Sequence, residues 1–450
     1  MNYKELHNIY FLGIGGIGMS ALARFFNVSG KNVSGYDQVS TVLTKQMEKE
    51  GIDIYHNADY THIPDHVDLV VYTPAIPQDN IELKWCKEHG IPLQKRAELL
   101  GKISNSHKTI AISGTHGKTT TSSIIAHILH SSGCEMIGFI GGISSNYNSN
   151  LIMSKTGNSS YIYMVVEADE YDRSFLSLHP AYSIITAVDA DHLDVYGNKQ
   201  VMRQAFLDFA SQTGSGNMLV KYGIDIEIKA ETYGLDEKAD HRAENIVITG
   251  GKFRFDYVGG QNRISNLTLG MQGKHNVENA IAACATAFHF GISATDISKA
   301  LASYKGVTRR FQYIINRSDL IFIDDYAHHP VEITSCLKAI KELYPEKKLT
   351  GIFQPHLYSR TRDFANEFAL SLSILDRLIL LPIYPAREEP IKGVNSELIF
   401  DMVQTSDKVL CNKEDLINIL SNEKPEVLVT LGAGDIDTII PILKSHLLAI

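Results

Sequence analysis

The chain has 450 residues, 44% apolar and 21% charged, which excludes wholesale disorder and leaves room for about three domains of roughly 150 residues. Lys and Arg total 42 against 51 Asp and Glu, a net charge of −9, so no nucleic-acid partner is expected. The five cysteines (Cys86, Cys134, Cys284, Cys336 and Cys411) are scattered without a C-x-x-C pair, which argues against a disulfide framework or structural zinc and for a reducing compartment.

The polar start and the short apolar runs predict neither a signal peptide nor a membrane span, so the expected location is the cytoplasm. Short apolar runs alternate with helical patterns from end to end. That pattern predicts an α/β fold with mainly parallel sheets flanked by helices. Three domains are expected: residues 1–106, Rossmann-like; 107–308, central and of the P-loop ATPase type; and 309–450, Rossmann-like again.

In the first block, Ile9–Leu12 reads as a buried strand, followed by a glycine turn and a helix from Ile17 to about Val28. Asn32–Gly35 reads as a strand ending at Asp37, and Val67–Tyr72 as one running into Thr73-Pro74-Ala75. The second block opens with a strand at Thr109–Ser113, a glycine turn and a helix through Ile128. Tyr161–Val166 and Ser183–Val188 read as strands that end in acidic clusters. Lys252–Val258 and Ile264–Leu269 alternate between glycine pairs and predict a hairpin added to the sheet. Helices at Val277–Phe290 and Ile297–Leu301 close the block. In the third block, Leu320–Asp324, Lys348–Phe353, Arg377–Leu381 and Val427–Leu431 read as strands, with a helix carrying Ile333, Leu337, Ile340 and Tyr344 on one face.

Five segments carry chemistry. The strongest is Gly114-Thr115-His116-Gly117-Lys118-Thr119-Thr120, between a β-branched strand and a helix. Its glycines let backbone N–H groups face a phosphate, and the helix N-terminus adds positive potential. Lys118 supplies a charge for terminal phosphates and a threonine hydroxyl a ligand for Mg²⁺. Lys118 is expected on an exposed loop, away from the core. Glu167-Ala168-Asp169-Glu170 follows a strand, where Glu167 offers hard oxygen ligands to Mg²⁺. Asp189-Ala190-Asp191-His192 also follows a strand and places a histidine for metal or phosphate in the same crevice.

Gly13, Gly15 and Gly18 satisfy G-x-G-x-x-G, with Asp37 after the next strand, which is the form of a diphosphate-binding turn. Two phosphate loops in one chain suit a transferase or ligase better than a dehydrogenase. Finally, Asp324-Asp325-Tyr326-Ala327-His328-His329-Pro330 and Phe353-Gln354-Pro355-His356-Leu357-Tyr358-Ser359-Arg360 sit at neighbouring strand ends and read as a small-molecule pocket. The adjacent His328 and His329 are expected to point apart.

These segments, with Lys274–Ala280 and Arg309-Arg310-Phe311, follow one another in an order that resembles the Mur ligases, three-domain ATP-dependent amide-forming enzymes of peptidoglycan synthesis. The resemblance implies the substrates ATP, UDP-N-acetylmuramate and L-alanine, and Mg²⁺ as the ion, two per site, with Mn²⁺ as an alternative. It implies that Lys118 contacts the β/γ-phosphates, that Thr119 and Glu167 hold Mg²⁺, and that His192 sits at a second metal position. Asn276 and Asn279 are implied at the ATP base, Arg310 and Asp325 at the nucleotide, and His328 at the reacting groups. Tyr326, His328, His356 and Arg360 are implied at the amino acid. Gly13, Gly15, Gly16, Ile17, Gly18, Asp37, Thr73 and Ala75 are implied at the UDP-sugar.

One position departs from the family pattern, Leu357, where arginine often follows the Pro-His pair. The implied chemistry is transfer of the ATP γ-phosphoryl group to the lactyl carboxylate, then attack by the amine on the acyl phosphate. A recycling ligase that adds a whole peptide to the same UDP-sugar is the alternative inside the family. A nicotinamide-dependent oxidoreductase, resting on Gly13–Gly18 and Asp37, is the alternative outside it; it leaves Lys118, Glu167 and His192 idle.

Overall fold

A computed structural model describes residues 3–154, 162–189, 196, 198–214, 216–386 and 388–449. The chain divides into two compact units: Met1–Asn245 with Phe255–Thr268 and Glu278–Lys305, and Ile246–Arg254 with Leu269–Val277 and Gly306–Ile450.

The first sheet is built from β1 (Asn8–Leu12), β2 (Asn32–Tyr36), β3 (Asp53–Tyr55), β4 (Leu69–Tyr72) and β5 (Leu93–Lys95), in the order β3-β2-β1-β4-β5, every pair parallel. The chain winds one way from β1 and the other way from β4. A crevice therefore opens between their C-terminal ends, where the glycine loop and Thr73–Ala75 lie. Its helices include α1 (Ile17–Val28), α2 (Val42–Lys49), α3 (Ile81–Glu88) and α4 (Arg96–Ser104). A reciprocal cap starts α2: Thr41 Oγ1 accepts from Thr44 N at 3.1 Å, and Thr44 Oγ1 accepts from Thr41 N at 2.8 Å.

The central sheet has ten strands. They are β6 (Lys108–Ser113), β7 (Met136–Ser144), β8 (Ser149–Met153), β9 (Tyr163–Glu167), β10 (Tyr182–Ile185), β11 (Met218–Lys221), β12 (Glu231–Gly234), β13 (His241–Thr249), β14 (Lys252–Gly259) and β15 (Asn262–Thr268). Their order, β15-β14-β13-β12-β11-β10-β6-β9-β7-β8, sets β6 between β9 and β10, so three strand ends converge. Among the described residues its helices include α5 (Lys118–Ser131), α6 (Lys199–Ser211), α7 (Lys274–His289) and α8 (Ala294–Ser303). The expected hairpin is present as β14 and β15 at the sheet edge. The expected strand Ser183–Val188 stops at Ile185, and Thr186–Asp189 run on outside the ladder beside the phosphate loop.

The third sheet contains β16 (Gln312–Asn316), β17 (Ile321–Asp325), β18 (Leu349–Phe353), β19 (Arg377–Leu380), β20 (Asp407–Leu410) and β21 (Val427–Leu431), ordered β16-β17-β21-β18-β19-β20. Among the described residues only β16 runs antiparallel to its neighbour in this sheet. Its helices include α9 (Pro330–Leu343), α10 (Tyr358–Asp363), α11 (Ala365–Leu372), α12 (Leu416–Asn422) and α13 (Ile440–Ala449). His329 caps α9, with Pro330 in the first turn, and Tyr344 falls just past its end. All five cysteines are free thiols, as expected.

One buried carboxyl predicts a pH effect on stability. Glu82 on α3 is fully buried; its Oε1 accepts from Tyr10 Oη at 3.2 Å and Asp59 N at 2.9 Å. Burial raises it to about 7 from 4.5. The folded chain therefore binds this proton more tightly than the unfolded chain. Its stability contribution falls as pH rises from 4.5 through 7, by at most about 3 kcal/mol. In Glu82→Gln this loss is expected to vanish, so the gap between variant and parent melting temperatures widens in the variant's favour from pH 5 to pH 8. A constant gap across that range contradicts the assignment.

Candidate active site

In the first unit, the turn after β1 folds on itself. Gly13 N and Ile14 N donate to Tyr36 O at 2.7 and 3.0 Å, and Gly16 N to Gly13 O at 3.2 Å. Asp37 Oδ2 accepts from Gly15 N at 2.8 Å, and its Oδ1 from Val39 N at 3.1 Å. The expected ligand carboxylate thus braces its own loop. Thr73 packs against Gly13, Ala75 lies in the turn that follows, and Ile17 is partly exposed at the start of α1. Arg96, not anticipated, packs on Gly18 and approaches Asp169 at 3.9 Å.

The loop after β6 is held by the residues after β10. Thr115 N donates to Ala187 O at 3.1 Å, and Asp189 N to Thr115 Oγ1 at 3.1 Å. Thr186 Oγ1 donates to Ser113 O at 3.0 Å and also meets His116 O. His116 Nε2 stands 3.6 Å from Asp189 Oδ2. Gly114 has φ +130° and Gly117 caps α5.

Lys118 is not on an exposed surface: its side chain is 12% exposed and donates to Gly114 O at 2.6 Å and to Glu170 Oε1 at 2.9 Å. The expectation failed because a fully buried carboxylate just past the end of the neighbouring strand β9, Glu170, draws the ammonium inward. Burial alone would lower the Lys118 pKa, but Glu170, Asp169 and Glu167 outweigh it and hold the ammonium protonated.

Thr119 Oγ1 donates to Glu167 Oε2 at 2.9 Å, and Gly141 N to the same oxygen at 3.0 Å. Thr120 is buried in the same turn. The hydroxyl and carboxylate together make an all-oxygen pair beside the phosphate loop, which fits Mg²⁺. Among the described residues no cluster of three or more His, Cys, Asp or Glu forms a metal cage. His192, expected at a second metal position, lies outside the described residues.

Asn279 and Asn276 are both buried. Asn279 Oδ1 accepts from Thr121 Oγ1 at 3.2 Å, and Asn276 Nδ2 donates to Gln272 O at 2.5 Å.

In the second unit, Arg309 anchors the segment before β16: Nε donates to Asp324 Oδ2 at 3.1 Å and Nη2 to Gly432 O at 2.6 Å. Asp325 accepts from Phe311 N at 2.7 Å and Ala327 N at 2.8 Å, so it shapes the Arg310 turn. Burial pushes Asp325 up to about 6, opposed by Arg310 and by those N–H groups. Arg310 lies over the Tyr326 ring at 5.0 Å and 3.6 Å from Glu332. His328 Nδ1 is 3.0 Å from Tyr326 O and 3.4 Å from Glu332, and its ring centre is 6.1 Å from that of His356. His329 turns away to cap α9, so the pair diverges as expected.

Burial holds His328 down to about 3, with Glu332 pulling upward and Arg360 downward. Burial and Arg360 likewise lower His356 to about 4, and His356 stacks on Tyr384. Two neutral imidazoles near Arg360 leave its guanidinium as the group suited to a ligand carboxylate, with Glu332 the acid beside His328. Leu357, at φ 73°, turns the chain into α10, its N–H donating to Tyr384 O at 3.0 Å. Glu170, Glu332 and Tyr384 had been given no role. Glu332 alone carried a local signal, since it follows His328 by four residues on a helix start.

The strand order, with a glycine-lysine turn between β6 and α5 and Glu167 at the end of the neighbouring strand, is that of nucleotide-binding α/β enzymes. Three family models match it in succession: "Mur ligase family, catalytic domain" at residues 8–108, "Mur ligase middle domain" at 112–287 and "Mur ligase, glutamate ligase domain" at 309–434. The chain belongs to the Mur ligase family.

It is 46% identical over 460 residues to a UDP-N-acetylmuramate–L-alanine ligase of Parabacteroides distasonis, covering 99% of this chain and 98% of that one. It is also 46% identical to the ligase of the same name from Flavobacterium psychrophilum, covering 99% of each. The crystal structure of a UDP-N-acetylmuramate–alanine ligase from Thermotoga maritima superposes with a TM-score of 0.83 at 28% identity, covering 98% of each chain.

Proposed function

We propose that the protein joins L-alanine to the lactyl carboxylate of UDP-N-acetylmuramate at the expense of ATP, giving UDP-N-acetylmuramoyl-L-alanine, ADP and phosphate. The observation that carries this is the near-complete, 46% identical match to ligases of that name. Neither the peptide-recycling nor the nicotinamide alternative has comparable support.

A carboxylate repels nucleophiles and lacks a leaving group. The lactyl oxygen therefore attacks the γ-phosphorus, the bond to the β-phosphate oxygen breaks, and ADP leaves. The amine of alanine then adds to the acyl carbon, gives up a proton, and expels phosphate. In this reading Gly114–Thr120 cradle the triphosphate and Lys118 neutralises charge on the moving phosphoryl group. Thr119 and Glu167 hold Mg²⁺, which supplies charge neutralisation at the phosphates. A second Mg²⁺, with His192 as ligand, and replacement by Mn²⁺ belong to this reading too. Gly13–Gly18 with Thr73 and Ala75 take the UDP-sugar. Block 1–106 serves the UDP-sugar, 107–308 serves ATP and 309–450 completes the ATP and amino-acid sites, and the cytoplasm supplies all three ligands. Arg310 is assigned to the nucleotide through Asp325, and Tyr326, His328, His356 and Arg360 to alanine. His328, neutral at pH 7, is a hydrogen-bond acceptor for the ammonium.

UDP-N-acetylmuramate labelled with ¹⁸O in its carboxylate tests the route. One label per turnover is expected in the released phosphate. Unlabelled phosphate, or AMP with pyrophosphate, overturns it.

Alanine offers a pocket one methyl, one ammonium and one carboxylate, and arginine matches the carboxylate with a planar fork. Losing a charge-assisted hydrogen bond of about 1.5–3 kcal/mol raises KM roughly 10- to 150-fold. Arg360→Ala is therefore expected to raise the alanine KM by that factor with the ATP KM unchanged. A raised ATP KM with an unchanged alanine KM moves Arg360 to the nucleotide.

A further inference from the structure

The helix after the glycine loop is held from outside its own sheet. Arg24, buried in α1, pairs with Glu50 through two bonds (Nε to Oε2 2.7 Å, Nη2 to Oε1 2.8 Å) and donates Nη1 to Asn150 Oδ1 at 2.6 Å. Asn150 lies on β8 of the central sheet and is fully buried. Its Nδ2 donates to Ile17 O at 2.6 Å and to Ser20 Oγ at 2.8 Å, both in the first turn of α1. A buried guanidinium and carboxamide are tolerated only when their polar atoms are matched, and a matched network fixes one arrangement where apolar contacts allow several.

The same hairpin reaches the other phosphate loop. β7 and β8 pair through Phe139↔Leu151 and Ser144↔Ser149, and Gly141 N on β7 donates to Glu167 Oε2 at 3.0 Å. One hairpin therefore touches the first turn of α1 at one strand and the candidate metal carboxylate at the other.

We propose that Asn150 is a positioning residue that fixes the glycine loop relative to the phosphate loop through the β7–β8 hairpin. The inference rests on the reading of Gly13–Gly18 as the sugar-nucleotide loop. Phosphoryl transfer between two separately bound substrates needs the reacting atoms about 3–3.5 Å apart. Loops that grow from two different sheets keep that spacing only if a rigid element joins them. The two ends of the carboxamide hold different partners, with Oδ1 accepting from Arg24 and Nδ2 donating to α1. Asn150→Asp keeps the shape but sets an acceptor against the Ile17 carbonyl.

The test compares Asn150→Ala, Asn150→Asp and the milder Ser20→Ala, which removes one acceptor and little volume. Calorimetry reads the Kd of UDP-N-acetylmuramate and of ADP, and steady-state assays read kcat. Both Asn150 variants are expected to weaken UDP-N-acetylmuramate about tenfold and lower kcat, and Ser20→Ala to weaken it about threefold, with ADP binding unchanged. A purely structural role moves both ligands together with the melting temperature. Parallel losses for both ligands, or parental UDP-N-acetylmuramate affinity in folded Asn150 variants or in Ser20→Ala, overturn the proposal.

Gly15→Ala separates the two readings, since its Cβ would lie 2.8 Å from Asp37 Oδ2 and disturb the loop directly. Weakened UDP-N-acetylmuramate in Gly15→Ala alone leaves the loop assignment standing and removes the role of Asn150. Parental binding in Gly15→Ala removes the loop assignment, and the proposal with it.

Discussion

Lys118→Ala is expected to lower kcat by about 10²–10³ and, in the same protein, to lower the melting temperature. The kinetic half follows from the loss of one fixed donor to charge that develops in phosphoryl transfer. The stability half follows from Glu170, which is fully buried and bonded to Lys118 at 2.9 Å. Removing one partner of a buried pair costs about 3–5 kcal/mol, reduced by whatever Glu170 recovers on taking up a proton. The double variant Lys118→Met/Glu170→Gln separates the halves. It replaces the pair by neutral groups of similar size, so its melting temperature should return toward the parent while turnover stays low. Calorimetric melting and ATP-dependent phosphate release check both. Parental melting in Lys118→Ala would show that the pair adds nothing to folding, and parental turnover would remove Lys118 from the site.

Gly114→Ala is expected to be as damaging from a smaller change. Gly114 has φ +130°, a region that strains an L side chain by about 1–3 kcal/mol. An added Cβ would overlap Thr186 Oγ1 and lie 2.6 Å from Ala187 N. Thr186 is not free to yield, because its hydroxyl already donates to Ser113 O and meets His116 O. The loop must therefore shift by roughly 1 Å, which costs about 10²-fold in a reaction that depends on alignment. The expected result is a drop of that size in kcat/KM for ATP, with UDP-N-acetylmuramate binding retained. An unchanged value in the folded variant would show that this turn does not hold the triphosphate.

The long-period features were legible in the chain, and the long-range ones were not. β1, β6, β17, β18 and β21 are runs of apolar and β-branched residues, and their limits fall within a residue or so of the expected ones. The turn glycines named both loops for the same reason: a phosphate cradle is a local backbone shape. β7 was missed because Gly138, Gly141 and Gly142 interrupt its apolar run, and it is a strand only because β8 and β9 flank it. β3, β5 and β12 are three or four residues long and carry no period of their own. The depth of Lys118 was misjudged because its partner lies 52 residues away, on a segment where only Glu167 had a stated role. Asn150 was overlooked for a like cause. Nothing in Asn150-Leu151-Ile152-Met153 says that the amide will face a helix from another sheet.

The bracing of Gly15 by Asp37 bears on how this chain tells one nucleotide from another. In a dinucleotide fold the acid at the end of the second strand reads the ribose, by accepting from its 2′-hydroxyl. Here both oxygens of that acid already accept, from Gly15 N and Val39 N. An NAD ribose arriving at this turn meets a carboxylate that has no strong reason to leave its loop. The turn keeps the shape of the fingerprint, and its acid divides its lone pairs between the loop's own N–H groups and whatever docks there. In the proposed reading this turn takes the diphosphate of the UDP-sugar, and an acid engaged by its own loop helps to explain why a nicotinamide cofactor is not the fit.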